Sequence, residues 1–390
     1  MEISERLRSI KPSATLSVNA KTLELRSQGV DIVSLAVGEP DFPTPAHICE
    51  AAQAAIAEGF TRYTAVPGIA PLRQAVGHYY ERHYGISVPQ EAVIISNGGK
   101  HALYNLMQAL LNPGDSVLIP APYWVSYPDM VALAGAKPLM VHAGVEKNFK
   151  VTPAMLEAKR QPCTRMLILN SPSNPTGAVY TPDEFNAIMQ WAVENNLFVI
   201  SDEIYDQLVF APACMTSALS WWQRYPEQVA VVNGVAKSFA MTGWRVGYTV
   251  AHPELVKKLS VLQGQCTSNV CSIAQKAALA ALEGSYDCVT TMNKAFLRRR
   301  DIAYSTVCSW KKARSPRPDG AFYVFADVRE YFRPGMANSA ELCTRLLEEA
   351  HVALVPGVAF GDDNCIRFSY AVSDTVLVES LNRVAAVLDR

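Results

Sequence analysis

The sequence predicts an α/β fold, with a large domain of mostly parallel, mixed sheet sandwiched by helices and a smaller α+β domain. Three observations carry this. Short, continuously apolar runs of strand length alternate with helical patterns through the middle of the chain, as strands buried on both faces do. At 390 residues the chain is long for a single core. Beyond residue 285 the pattern changes, and helices outweigh strands.

The elements follow in order. The first 30 residues carry a helical pattern at Leu16 and residues 21–25. Thr44-Pro45 reads as N-cap and first position of a helix that Gly59 closes, with Ile48, Ala51, Ala52, Ala55 and Ile56 on one face. Strands are expected at 92–96, 117–120, 139–141, 166–169, 197–201, 229–233 and 246–251. Thr181-Pro182-Asp183-Glu184 is a capping box, followed at helical spacing by Phe185, Ile188, Met189, Ala192 and Val193. A helical stretch over 286–312, a strand at 321–327, a helix at 339–350, a strand at 366–370 and a helix from Asp374 complete the chain. The large domain is expected over 45–285, and the small one over 1–44 and 286–390.

Composition removes several classes. Lys plus Arg is 35 against 36 for Asp plus Glu, so no basic footprint marks a nucleic-acid binder. No run of 18 apolar residues exists, and the charged start Met1-Glu2-Ile3-Ser4-Glu5-Arg6 is no signal core. Nine cysteines, none in a Cys-x-x-Cys pair, suit reduced thiols in a cytoplasmic protein. Only 18% of residues are charged, which points to surface covered by another subunit. The dinucleotide, P-loop, nucleophile-elbow and zincin signatures are missing, and the seven histidines do not cluster as metal ligands.

Four segments stand at the ends of expected strands, where open α/β sheets bind ligands. In Ser96-Asn97-Gly98-Gly99-Lys100-His101, two glycines opening a helix could leave N–H groups free for a phosphate, or simply make a tight turn. Asn170-Ser171-Pro172-Ser173-Asn174-Pro175-Thr176-Gly177 is a rigid loop that could present Asn174, or a plain connection. Asp202, in Ser201-Asp202-Glu203-Ile204-Tyr205, caps a turn or pairs with a buried cation. Lys237, in Val235-Ala236-Lys237-Ser238-Phe239, is a surface lysine or one whose apolar setting lowers its pKa and frees its amine as a nucleophile.

The four segments in this order, with Met241-Thr242-Gly243-Trp244-Arg245-Val246-Gly247 closing them, resemble class I aminotransferases of fold type I, which depend on pyridoxal 5′-phosphate (PLP). Gly38-Glu39-Pro40-Asp41-Phe42, Tyr63 with Pro67-Gly68-Ile69, Pro122 to Tyr127, and Ile366 to Tyr370 extend the resemblance over nearly the whole chain. The prokaryotic-type aspartate aminotransferases are the most similar subgroup.

The resemblance implies roles. Lys237 would join PLP covalently and carry the proton at substrate Cα. Asp202 would pair with the pyridine nitrogen, while Tyr205 and Asn174 would hydrogen-bond the 3′-oxygen. Trp124 would stack on the ring, unless it is an ordinary core tryptophan. Gly99, Lys100 and Arg245 would hold the phosphate, with Tyr63 reaching the neighbouring subunit's phosphate in a homodimer. Arg367 and Gly38 would meet the substrate α-carboxylate. Lys100 would read the side-chain carboxylate, or be a solvated helix-start lysine; Ser13 and Thr15 would assist, and Lys11 would relate to prephenate. The expected reaction passes the amino group of L-aspartate to 2-oxoglutarate. The alternatives are an aminotransferase for aromatic or other amino acids, a β-lyase, and an effector-binding regulator. Ala121-Pro122 and Asn174-Pro175 match cis peptide positions of the family.

Overall fold

The computed structural model describes residues 2–8, 10, 12 and 14–389, with backbone alone for 5, 6 and 14–16. Lys11 and Ser13 lie outside the described residues, as does the Thr15 side chain.

Seven strands form one sheet: β1 (Val93–Ser96), β2 (Ser116–Ala121), β3 (Lys137–His142), β4 (Thr164–Asn170), β5 (Phe198–Asp202), β6 (Val229–Gly234) and β7 (Gly247–Val250). Their order is β1-β7-β6-β5-β4-β2-β3. β7 runs antiparallel to both of its neighbours, β1 and β6, and every other pair is parallel. The apolar runs divide by alternation. Val93, Ile95, Leu167, Val199 and Val231 join one core, and Ile94, Ile168, Ile200, Ala230 and Val232 join the core on the other face. Each such buried aliphatic side chain contributes about 1.5–3 kcal/mol, so the sheet is a stiff platform.

The helices confirm the patterns, with two corrections. At helix Pro182–Glu194 the Thr181 hydroxyl accepts from Glu184 N–H and the Glu184 carboxylate accepts from Thr181 N–H. Its five apolar residues are buried. Thr44, by contrast, caps nothing. Helix Ala46–Ala57 has Pro45 at its N-cap, because the Thr44 hydroxyl is already engaged: it donates to Ala240 O and accepts from Trp244 Nε1. Ile56 also leaves the expected face and is 57% exposed.

A second, antiparallel sheet has order β9-β10-β8, from β8 (Tyr323–Asp327), β9 (Val355–Pro356) and β10 (Cys365–Ser369). Its core takes in Leu35, Phe322, Val324, Ile366, Phe368 and Leu381. Helix Asp287–Ser309 passes between the cores: Val289 belongs to the large sheet's, Met292 and Phe296 to the second. Helix Ala14–Ser27 packs beside Val352–Ala353 and β9. Ala121-Pro122 and Asn174-Pro175 are cis, as are Ser171-Pro172 and Ala211-Pro212. Among the described residues no helix is long and apolar enough to cross a membrane.

Candidate active site

The carboxyl ends of β1, β2, β4, β5 and β6 face one cavity of about 270 Å³. Because β7 is antiparallel, its start lies at the same edge, which delivers Arg245 there. Gly38, Gly99, Lys100, Trp124, Asn174, Asp202, Tyr205, Lys237, Arg245 and Arg367 all line it.

At one end, helix Gly99–Leu110 begins without a side-chain cap, and its N-cap Gly98 has φ 83°. A Cβ at Gly98 would stand 2.4 Å from Arg245 Nη2, and one at Gly247 2.4 Å from Gly99 N. The glycines therefore let the helix start, β7 and the guanidinium crowd together. Arg245 donates to Thr242 O at 2.9 Å and to Asn97 O at 3.4 Å. Uncapped N–H groups at the positive end of a helix, beside an arginine, suit a phosphate.

Asp202 ends β5 and is 5% exposed. It accepts from the Tyr127 hydroxyl at 2.6 Å and from Ile204 N–H at 3.3 Å. Burial pushes its pKa up to about 6, against the lowering pull of these bonds and of Lys237. A carboxylate so placed gains from a protonated ring nitrogen, whose charge would hold it ionised.

Lys237 follows β6, and its Nζ donates to Gly38 O. Burial lowers its pKa to about 8; Glu39 opposes the shift, and Arg367 and Arg245 add to it. A sizeable fraction of neutral amine then exists near neutral pH, as a nucleophile or proton carrier requires.

Arg367, on β10, is 2% exposed. It donates from Nη1 to Asn174 Oδ1 at 2.9 Å and from Nη2 to Ala36 O at 2.6 Å, while its buried Nε has no partner. Both acceptors are neutral, so the positive charge remains for an anion. Lys100 is exposed, with Nζ 5.0 Å from the Trp124 ring centroid. Burial of part of its stem lowers its pKa, and Arg245 adds to this.

Tyr63 stands apart: it is 91% exposed and does not line this chain's cavity. Sequence reasoning missed Tyr127, Tyr323 and Asn170, which also line it. Asn170 donates to Asp202 O and accepts from Asn174 N–H, fixing the two loops together. Tyr127 and Asn170 fell within quoted motifs, at the end of Pro122–Tyr127 and the start of Asn170–Gly177, and that membership was the available signal. Tyr323 offered none.

The donor set fits PLP: an uncapped helix start with an arginine, a buried carboxylate that a cation would stabilise, and a lysine amine close to neutrality. Comparison with known proteins agrees. Residues 30–384 match the family model described as aminotransferase class I and II. The chain is 44% identical over 391 residues to an aspartate/prephenate aminotransferase of Cereibacter sphaeroides, covering 98% of each. It superposes on an aspartate aminotransferase of Rhizobium meliloti with TM-score 0.95 and 35% identity, covering 100% of this chain and 99% of that one. Against a Thermus thermophilus aspartate aminotransferase with maleate the TM-score is 0.93 at 42% identity, covering 99% and 100%.

Proposed function

This chain belongs to the class I and II aminotransferase family, whose cofactor is PLP, and from that premise we propose that it transfers the amino group of L-aspartate to 2-oxoglutarate, giving oxaloacetate and L-glutamate. The observation that carries the choice of substrate is that four cations among the described residues line the cavity and, with Lys237 and Arg245 serving the cofactor, two remain: Arg367, buried with a free Nε, and Lys100, exposed beside Trp124. Two cations suit two carboxylates. The maleate held by the Thermus relative is itself a dicarboxylate.

When bound, PLP takes up the electrons released as the substrate Cα loses its proton. The chain's residues do the rest. Gly99, Lys100 and Arg245 hold the phosphate end. Asp202, oriented by Tyr127, keeps the ring nitrogen protonated. Tyr205 and Asn174 would donate to the 3′-oxygen, and Trp124 would cover the ring. Lys237 supplies the attaching amine and afterwards moves the proton at Cα. Arg367, with Gly38 beside it, clamps the α-carboxylate in a fork that lysine cannot reproduce.

Prephenate, as a further acceptor, is supported by the names of the relatives. A homodimer is supported by exposed apolar side chains, Ile56 at 57%, Tyr63 at 91% and Val261 at 65%; in it Tyr63 would serve the neighbouring subunit's phosphate. Nine unpaired cysteines support a cytoplasmic location.

The test is a set of half-reactions read from the cofactor's absorbance with aspartate, glutamate, alanine and phenylalanine. Aspartate and glutamate should lead in kcat/KM by tenfold or more, roughly one charge-assisted hydrogen bond. Equal conversion of alanine or phenylalanine would overturn the dicarboxylate reading while leaving an aminotransferase.

A further inference from the structure

Tyr323 is wholly buried on β8, and nothing in its sequence context sets it apart. The register explains where it points. Arg367 on β10 lies opposite Phe325 on β8, so Tyr323, two residues along, is its diagonal neighbour on the same face. The Arg367 guanidinium carbon sits 4.5 Å from the Tyr323 ring centroid. At the other end of the ring, the Tyr323 and Tyr205 hydroxyls are 2.9 Å apart. A Cβ at Gly38 would stand 2.6 Å from the Tyr323 hydroxyl oxygen, so glycine there makes room for it.

We propose that Tyr323 is a positioning residue serving both ends of the site: its hydroxyl orients the Tyr205 hydroxyl, and its ring seats the Arg367 guanidinium. Either tyrosine can donate when the two are alone. With the Tyr205 O–H donating a hydrogen bond to the cofactor's 3′-oxygen, the only direction left for the pair would be from the Tyr323 O–H to the Tyr205 oxygen. Burial keeps the Tyr323 phenol neutral, with its pKa raised, so that proton is available throughout the working range. A donor behind Tyr205 polarises its O–H and strengthens the bond it gives. The ring, meanwhile, meets the guanidinium in a dry setting where a cation over an aromatic face counts most.

This inference rests on the placement of PLP beside Tyr205, and not on aspartate as substrate. The experiment separates the two. Tyr323→Phe and Tyr323→Leu holoenzymes are titrated with pH by the cofactor's visible absorption, which needs no substrate. Their kcat and KM are then measured on whichever amino acid the wild type converts. A bond to the 3′-oxygen favours the deprotonated chromophore, so weakening it raises the spectral pKa. Tyr323→Phe should raise it by roughly half a unit, lower kcat, and leave KM within about twofold. Tyr323→Leu should show the same spectral shift and also raise KM severalfold, because one of the two aromatic faces on Arg367 is gone and only Phe360 remains. A wild-type spectral pKa in Tyr323→Phe would overturn the hydroxyl's role. Equal KM values for the two variants would overturn the ring's. Should the leucine variant fail to fold, Tyr323→Trp replaces it: a ring kept under Arg367 but seated differently should raise KM and leave PLP bound, and an unchanged KM would count against the ring's role.

Discussion

Arg367, on a strand of the second sheet, donates to Asn174, in a loop of the large sheet, at 2.9 Å. One hydrogen bond thus joins the expected α-carboxylate clamp to a residue expected at the cofactor's 3′-oxygen. With Ala36 O as its other acceptor, the guanidinium is held in place by neutral groups, and its charge is left uncompensated for a ligand.

Arg367→Lys should therefore be far from conservative. An ammonium group cannot reach Asn174 and Ala36 while presenting a fork to a carboxylate. KM for the amino acid should rise by ten- to a hundredfold, from about 1.5–3 kcal/mol of lost charge-assisted bonding. PLP affinity, measured by recombination with the apoprotein, should change little.

Lys237→Ala removes both the attaching amine and the proton carrier. Turnover should drop by at least about a thousandfold. PLP should still bind through Arg245 and the helix start without covalent attachment: borohydride reduction before denaturation should fix it to the wild-type chain and leave it free from the variant. Near-wild-type transamination would refute the assignment.

Asp202→Asn keeps the Tyr127 partner but cannot hold a proton on the ring nitrogen by charge. The rate of Cα-proton exchange in deuterated water should fall by about a hundredfold or more. An unchanged exchange rate would remove Asp202 from this role.

Lys100→Met keeps the stem and deletes the charge. Losses should fall on aspartate and glutamate, about ten- to a hundredfold in kcat/KM, with alanine and phenylalanine nearly unaffected. The phosphate contact uses backbone N–H, so PLP affinity should hold. Equal losses for all four substrates would mean that Lys100 serves the cofactor alone.

Glu203 gives a pH prediction. It is fully buried and accepts from Ser201, Ser217 and Ala218 N–H, yet burial raises its pKa from 4.5 to about 8. A folded-state pKa above the unfolded one means stability that is fully present below pH 4.5 and is lost as pH rises through about 8. Glu203→Gln lacks this slope. Its stability relative to wild type, from urea unfolding of the apoprotein, should improve between pH 5 and pH 8. A difference that stays constant across that range would show Glu203 ionised in the native protein throughout.

Much of the fold was legible because its signals are local. Seven apolar runs marked seven strands, and Thr181 with Glu184 marked a helix start, since burial on both faces and capping leave short-range patterns. Thr44 misled for the opposite reason: its hydroxyl is claimed by Ala240 and Trp244, roughly two hundred residues away, as only the folded chain reveals.

The same division holds in the site. The sequence by itself determined which chemical groups stand at the strand ends: a lysine after β6, a carboxylate closing β5, a glycine pair opening a helix, an arginine on β10. Tertiary structure decided what those groups are. Burial by distant elements moves Asp202 up and Lys237 down in pKa. Strand register places Tyr323 between Arg367 and Tyr205. Desolvation and sheet register depend on contacts between residues far apart in the chain, and no local pattern encodes them.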